Sequence, residues 1–356
     1  MIFLGAALLL VPGILSLLLP SLSGTSRIEL RAPQPFPGIP RNLSAFYTWP
    51  QRFDQFSSDQ FPLREDIIRW SSRALRRLNV SISPEVLIGK DGWLFLRRSS
   101  DVLDESRGVR RLPGWAVTNW VDRYVERQRQ LSDRGIRTLL AIVPNKHTVY
   151  PQFLNPYFFK VGETITDQIV EGLRGRGVAG LIDLRPALLA AAGTGLVYDR
   201  LDTHWNDRGA WAGYEAILRQ IPDARALSTD QLQWSEVVRS GDLARLIGDT
   251  GLTESTTDAQ LRVSRISKRI NFAEKERYEQ TPWSAETNLD AGPRVIFFCD
   301  SFTNERLYKF LEASFPRSVF KHHNGMILDD PLINAERPDL VVYIIVERLL
   351  PDVLPD

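Results

Sequence analysis

Cysteine is nearly missing from this chain. Cys299 is the single one among 356 residues, so no internal disulfide can form. Histidine is scarce as well. His147, His204, His322 and His323 are the four, and none sits in an HExxH or a Cys/His cluster. No metal and no cofactor is therefore expected from residue spacing. A dominant charge is also lacking: 44 Lys and Arg stand against 43 Asp and Glu, for a net charge of +1. The basic residues are mostly Arg and are spread along the chain, so no overall field points to nucleic acid. Internal repeats and low-complexity blocks are absent. Finally, residues 1–19, MIFLGAALLLVPGILSLLL, hold no charged side chain at all.

That last absence is a signal. A helix of this length spans roughly 28 Å, about one bilayer hydrocarbon core. Pro12 and Gly13 interrupt the run, and membrane helices tolerate both. Residues 1–19 are expected to be a membrane anchor or a signal, with Ser21-Leu22-Ser23 loosely resembling a cleavage site. No Lys or Arg precedes the run and the first cation is Arg27. The positive-inside rule therefore does not itself orient the domain outward. Residues 20–45, rich in Pro, Ser and Gly, read as a linker.

From residue 46 onward the pattern is that of a globular domain. Leu63, Ile67, Trp70, Ala74 and Leu78 recur at helical spacing. VLIGKDGWLFL reads as a hairpin turning at Lys90-Asp91-Gly92. An α/β alternation follows. A helix over 114–134 carries Val117, Trp120, Val121, Tyr124 and Leu131 on one face, with Gly135 as its stop. Short apolar strands are expected at 138–143, 180–184, 294–302 and 339–346. Further helices are expected around 164–175, at 207–221 with Asp207 as a possible cap, and after residue 302 with Leu307, Phe310, Leu311 and Phe315. This predicts an α/β fold with a doubly wound, mostly parallel sheet. Residues 230–290 break the alternation and read as an insertion at the sheet edge.

Three places carry chemistry. In DTHWN, Asp202 and His204 lie two apart before a helix. Such an Asp can fix the tautomer of the imidazole and support the imidazolium formed on proton transfer. The plainer reading is a packed His beside a helix cap. In CDSF, Ser301 stands where a strand meets a helix, so its hydroxyl and the N–H groups after it face one space. The plainer reading is again a cap. Together the two motifs supply nucleophile, base and orienting carboxylate, and the open-sheet rule places both loops at strand carboxyl ends. The third place is Glu347-Arg348 after the last strand, which either ties loops by an ion pair or binds substrate. Lys146 in VPNK and Asn324 are further candidates for substrate or oxyanion contact, and His322 and His323 are expected to face outward from a loop.

Seven pieces occur in order: FPLRE, GKDGWLF, VPNKHTVYP, DTHWN, GDLARLIG, CDSF and ERLL. In these the chain resembles the SGNH-hydrolase-like alginate O-acetylation proteins of the AlgJ and AlgX family, a group sometimes called DHHW. The resemblance implies an SGNH fold with permuted triad order, Asp202 and His204 preceding the nucleophile Ser301. It implies acetyl transfer to an exopolysaccharide, alginate-like or cellulose-like, with acetyl groups supplied through a membrane-bound O-acyltransferase partner. It also implies an inner-membrane-anchored domain on the periplasmic face. One residue departs from the family pattern: Cys299 stands where Gly is usual. As it falls in an expected buried strand, where thiols are inert, Ser301 is the expected nucleophile. An acetylesterase needs the same triad and remains an alternative, as does a non-catalytic polysaccharide-binding scaffold.

Overall fold

The computed structural model describes residues 34–59, 64–78, 80–97, 101–272 and 282–353. The apolar run 1–19 and the linker up to residue 33 lie outside them, as do Phe61, Pro62 and Leu63.

Eleven strands are present among these residues: β1 Val86–Ile88, β2 Leu94–Leu96, β3 Arg137–Val143, β4 Leu181–Asp183, β5 Leu232–Arg239, β6 Glu254–Leu261, β7 Ile266–Asn271, β8 Trp283–Thr287, β9 Arg294–Cys299, β10 Arg317–His322 and β11 Leu340–Val346. The main sheet has the order β4-β3-β11-β9-β10-β8-β7. Its first five strands run parallel, and β8 and β7 close one edge antiparallel. β1 and β2 form the expected hairpin. Asp91 and Gly92 both take positive φ there, 53° and 76°, which is the backbone an Asp-Gly turn supplies.

The continuous apolar strands follow from burial on both faces. Along β11, Leu340, Val342, Ile344 and Val346 enter one core, and Val341, Tyr343 and Ile345 enter the other. β9 divides likewise: Val295, Phe297 and Cys299 on one side, Ile296 and Phe298 on the other. With a side-chain period of two, both sets must be apolar. Helices Arg185–Ala192, Asp207–Leu218 and Tyr308–Glu312 cover the first face, and Gly114–Ser132, Ile165–Gly175 and Asp330–Glu336 cover the second. The sheet is doubly wound.

Several elements differ from the sequence reading. Helix Asp207–Leu218 ends three residues early, and its cap is Asn206, whose side chain accepts from the N–H of Arg208 and Gly209. Asp207 is instead fully buried in an ion pair with Lys309 at 2.5 Å. The helix after β9 contains a wide π-helical turn, Thr303–Leu307, and Phe315 lies beyond its end. β10 and helix Arg185–Ala192 were not anticipated. In residues 230–290, β5 and β6 pair as a separate two-stranded sheet, and β7 and β8 join the main sheet.

Candidate active site

Ser301 follows β9 at the carboxyl end of the sheet. Its neighbour Asp300 sets the exit angle. The buried Asp300 carboxylate accepts from the N–H of Phe302 at 3.0 Å and of Val346 at 2.7 Å, which ties β9 to β11. Burial pushes this carboxyl up, against the pull of those hydrogen bonds and of Arg348. The N–H groups of Thr303 and Asn304 donate to the Asp300 carbonyl at 3.1 and 3.3 Å. The expectation that the amides following Ser301 face an open oxyanion space is therefore corrected: those three are already used.

The imidazole lies directly against the hydroxyl. Ser301 Oγ is 2.9 Å from His204 Nε2, and His204 Nδ1 is 2.9 Å from Asp202 Oδ1. The same Asp202 oxygen accepts the His204 backbone N–H at 2.9 Å. Burial alone would lower the His204 pKa, but the hydrogen bond and charge of Asp202, with the charge of Asp242, carry it above its ordinary value. For Asp202, burial works upward, yet the bonds and charge from His204 hold the carboxylate well below the usual range. The arrangement favours ionised Asp202 beside an imidazole that can take up a proton.

One member of this group had not been singled out. Asp242, from GDLARLIG, lies with Oδ2 3.9 Å from His204 Nδ1. Its backbone N–H donates to Asp202 Oδ2 at 3.1 Å, and its Oδ1 accepts from Thr203 N–H at 2.6 Å. Burial and then the negative charge of Asp202 raise the Asp242 pKa. Gly241 makes this approach possible, because a Cβ there would stand 2.0 Å from the Leu201 carbonyl oxygen. The motif was visible in the sequence, but its contact with the Asp-His loop is purely tertiary.

The Asp-His loop does not follow a strand, contrary to expectation. It joins helices Arg185–Ala192 and Asp207–Leu218 and is held at the rim by contacts from elsewhere. Lys146, past the end of β3, is 2% exposed, and its ammonium donates to the carbonyls of Asp199, Arg200 and Asp202 at 3.0, 3.1 and 2.5 Å. An ammonium has three protons, and all three are spent on this loop. Lys146 thus positions the loop and has no proton left over for a substrate or oxyanion, the contact the sequence reading had offered it. Burial lowers its pKa to about 8, against the raising effect of Asp202 and other nearby carboxylates. Glu254 on β6 accepts from the N–H of Leu201 at 2.6 Å and of Arg200 at 2.9 Å. Trp205 Nε1 donates to the Phe302 carbonyl at 2.9 Å, linking the base-bearing loop to the turn after Ser301.

The remaining candidates separate. Arg348 is half-buried, with its guanidinium carbon 5.1 Å from the centre of the Phe302 ring and Nη1 donating to Asn145 at 2.9 Å. The Phe302 ring is itself 5.0 Å from that of His204, so Arg348 borders the site. Its neighbour Glu347 is buried and accepts from Asn145 N–H at 2.7 Å and from the Thr148 hydroxyl, fixing the chain beyond β3. Asn324 begins the turn Asn324–Met326 after β10, and its side chain lies outside the described parts. His323 is 4% exposed rather than outward-facing, and burial takes it down to about 3. Cys299 is fully buried, and burial drives its thiol far up, so it is unsuited to act as a nucleophile. Asp202, His204 and Asp242 bring possible metal-ligand atoms within 4.8 Å of one another. The His204 nitrogens already engage Asp202 and Ser301, an arrangement for moving a proton.

A doubly wound α/β sheet with a Ser-His-Asp cluster at its carboxyl rim places the chain among SGNH-hydrolase-like proteins. The family described as "SGNH hydrolase-like domain, acetyltransferase AlgX" matches residues 86–324, more than half of the chain, and the chain belongs to that family. Probable alginate O-acetylase AlgJ of Pseudomonas aeruginosa is 32% identical over 147 residues, which are 40% of this chain and 35% of that protein. The AlgJ of Pseudomonas syringae is 27% identical over 165 residues, 46% of this chain and 40% of the relative. The matches thus span less than half the length of these curated relatives. Among solved structures, Bacillus cereus PatB1 with a sulfonyl adduct shares the fold, with TM-score 0.54 and 12% identity over 78% of this chain and 98% of that one.

Proposed function

We propose that this protein is an O-acetyltransferase acting on an exopolysaccharide through an acetyl-serine intermediate. The observation that carries the reading is the continuous chain Ser301 Oγ, His204 Nε2, His204 Nδ1, Asp202 Oδ1, with both links at 2.9 Å. These are the distances that general-base activation of a nucleophile requires. His204 takes the Ser301 proton as Oγ attacks the acetyl carbonyl carbon of a donor. The tetrahedral adduct collapses, and the leaving group departs with the proton from His204. A sugar hydroxyl then attacks acetyl-Ser301 while His204 accepts its proton. The acetyl group moves to the sugar oxygen, and the proton returns to Ser301 Oγ. Asp202 stays ionised throughout and balances the transient imidazolium. Arg348 and Asn324 remain the candidates for contacting substrate.

The fold assigned to residues 46–356 would stand outside the cytoplasm, tethered to the inner membrane by residues 1–19 through the linker 20–45. No helix among the described residues is long and apolar enough to cross a membrane, so the tether would rest on that first run. A membrane-bound O-acyltransferase would supply the acetyl groups. Ser301→Ala tests the reading. It should abolish both acetate release from an activated acetyl ester and acetylation of an oligosaccharide. Wild-type turnover in this variant would overturn the serine mechanism. Acetate release with no transfer to any sugar would replace transferase by esterase.

A further inference from the structure

An open groove of about 300 Å³ lies at the same rim, lined by Arg269, Asn271, Trp283, Asn304 and Tyr308. The strand register fixes its place. β10 is parallel to β9 with His322 opposite Cys299; β8 is antiparallel to β10 with Trp283 opposite Phe320; and Asn271 of β7 is opposite Trp283. Asn271 and Trp283 therefore occupy the end of the sheet from which Ser301 emerges. Two strand spacings separate β9 from β8, about 10 Å. Asn304 and Tyr308 belong to the helical segment that begins at Ser301. We infer that this groove is an acceptor subsite, holding a pyranose ring of the polysaccharide next to the one that receives the acetyl group.

The chemistry of the lining supports that occupant. Trp283 and Tyr308 meet edge to face at 6.0 Å, and Arg269 lies 5.7 Å from the Tyr308 ring centre. One buried carboxylate organises them. Glu312, 1% exposed, accepts from Trp283 Nε1 at 2.6 Å and pairs with Arg269. The indole donor is thereby consumed, and what Trp283 offers the groove is ring surface. The Arg269 charge is balanced by Glu312, so among the described residues the groove lacks the uncompensated cation that a phosphate site would carry. The guanidinium keeps further N–H groups in a side chain 47% exposed. Apolar ring surface beside amide and guanidinium donors matches a sugar, whose C–H face is apolar and whose rim is hydroxyl. The volume suits a segment of a chain of rings.

The inference rests on the acetyltransferase reading, and its test separates the two. Tyr308→Leu and Asn271→Ala remove groove contacts without touching Ser301, His204 or Asp202. Acetate release from a small activated ester should be unchanged in both. KM for an oligosaccharide acceptor should rise about tenfold in Tyr308→Leu, which loses an aromatic contact, and by a smaller factor in Asn271→Ala, while a monosaccharide acceptor, too short to reach the groove, should show no difference. Unchanged KM for oligosaccharides in both variants would overturn the subsite and leave the transferase standing. Absence of transfer to any sugar by the wild type would overturn the function reading first. Parallel loss of ester turnover would mean that the substitutions disturb the triad, and would count against a separate subsite.

Discussion

His204 takes its properties from the charges that face it. Asp202 and Asp242 raise its pKa, Arg348 lowers it, and burial opposes the rise. A general base must be neutral to accept a proton, so kcat/KM should climb as pH rises through that elevated pKa. Asp242→Asn removes one anion and keeps the backbone N–H that binds Asp202. The acid limb of the profile should therefore move to lower pH, with a modest loss of rate. Asp202→Asn should move it further and cost about 10⁴ in kcat, as loss of the tautomer-fixing carboxylate does elsewhere. A pH-rate series on both variants checks this; an unmoved limb in Asp242→Asn would remove Asp242 from the site. Cys299→Ser should keep most activity, since Asn304 Oδ1 and the Lys321 carbonyl already accept from Sγ at 3.5 and 3.7 Å. Cys299→Gly should likewise stay active and lose about 1 kcal/mol of stability by thermal denaturation. At this scale Asp202, His204 and Ser301 were legible only in combination: each motif alone also reads as a helix cap, but together they supply nucleophile, base and orienting carboxylate. Asp242 and the clamping role of Lys146 were not, because each is defined by which carbonyl or carboxylate lies across from it.

Between elements, the decisive contact is the approach of the short helix Asp242–Leu246 to the Asp-His loop. Its Leu243 and Ala244 N–H groups donate to the Leu201 carbonyl at 3.1 and 3.3 Å, over Gly241. Gly241→Ala would place a methyl group inside that carbonyl's radius, so the helix must retreat and the hold on Asp202 Oδ2 must weaken. We expect a fall of at least about tenfold in kcat with secondary structure intact, followed by ester turnover and circular dichroism. The strands β3, β9 and β11 could be read because burial on both faces demands continuous apolar runs. β10 escaped because its apolar pair, Val319 and Phe320, is flanked by Arg317, Lys321 and His322. Arg317 and Lys321 are paired with Glu336 and Asp329, partners that only the fold reveals. Helix Arg185–Ala192 hid behind its Pro186, which the first helical turn accommodates.

For the molecule as a whole, topology is what cell fractionation reads. With residues 1–19 as a tether and the domain outside the cytoplasm, the protein should fractionate with membranes and be degraded by protease added to intact spheroplasts. Protection of the domain would reverse its orientation. The α/β class followed from alternation alone. Which face each loop joins did not, because the Asp-His loop reaches the rim through Lys146, Glu254 and Trp205 rather than by leaving a strand.

The hydrogen bond between Ser301 and His204 joins positions 97 residues apart in the chain. Neither residue has a local route to the other, so the pair can meet only after the central strands have assembled and the loop has been clamped. Closing such separations is slow compared with forming helices. During renaturation from denaturant, the far-ultraviolet signal should therefore return before ester turnover does, and the lag between them would time the arrival of the last long-range contact.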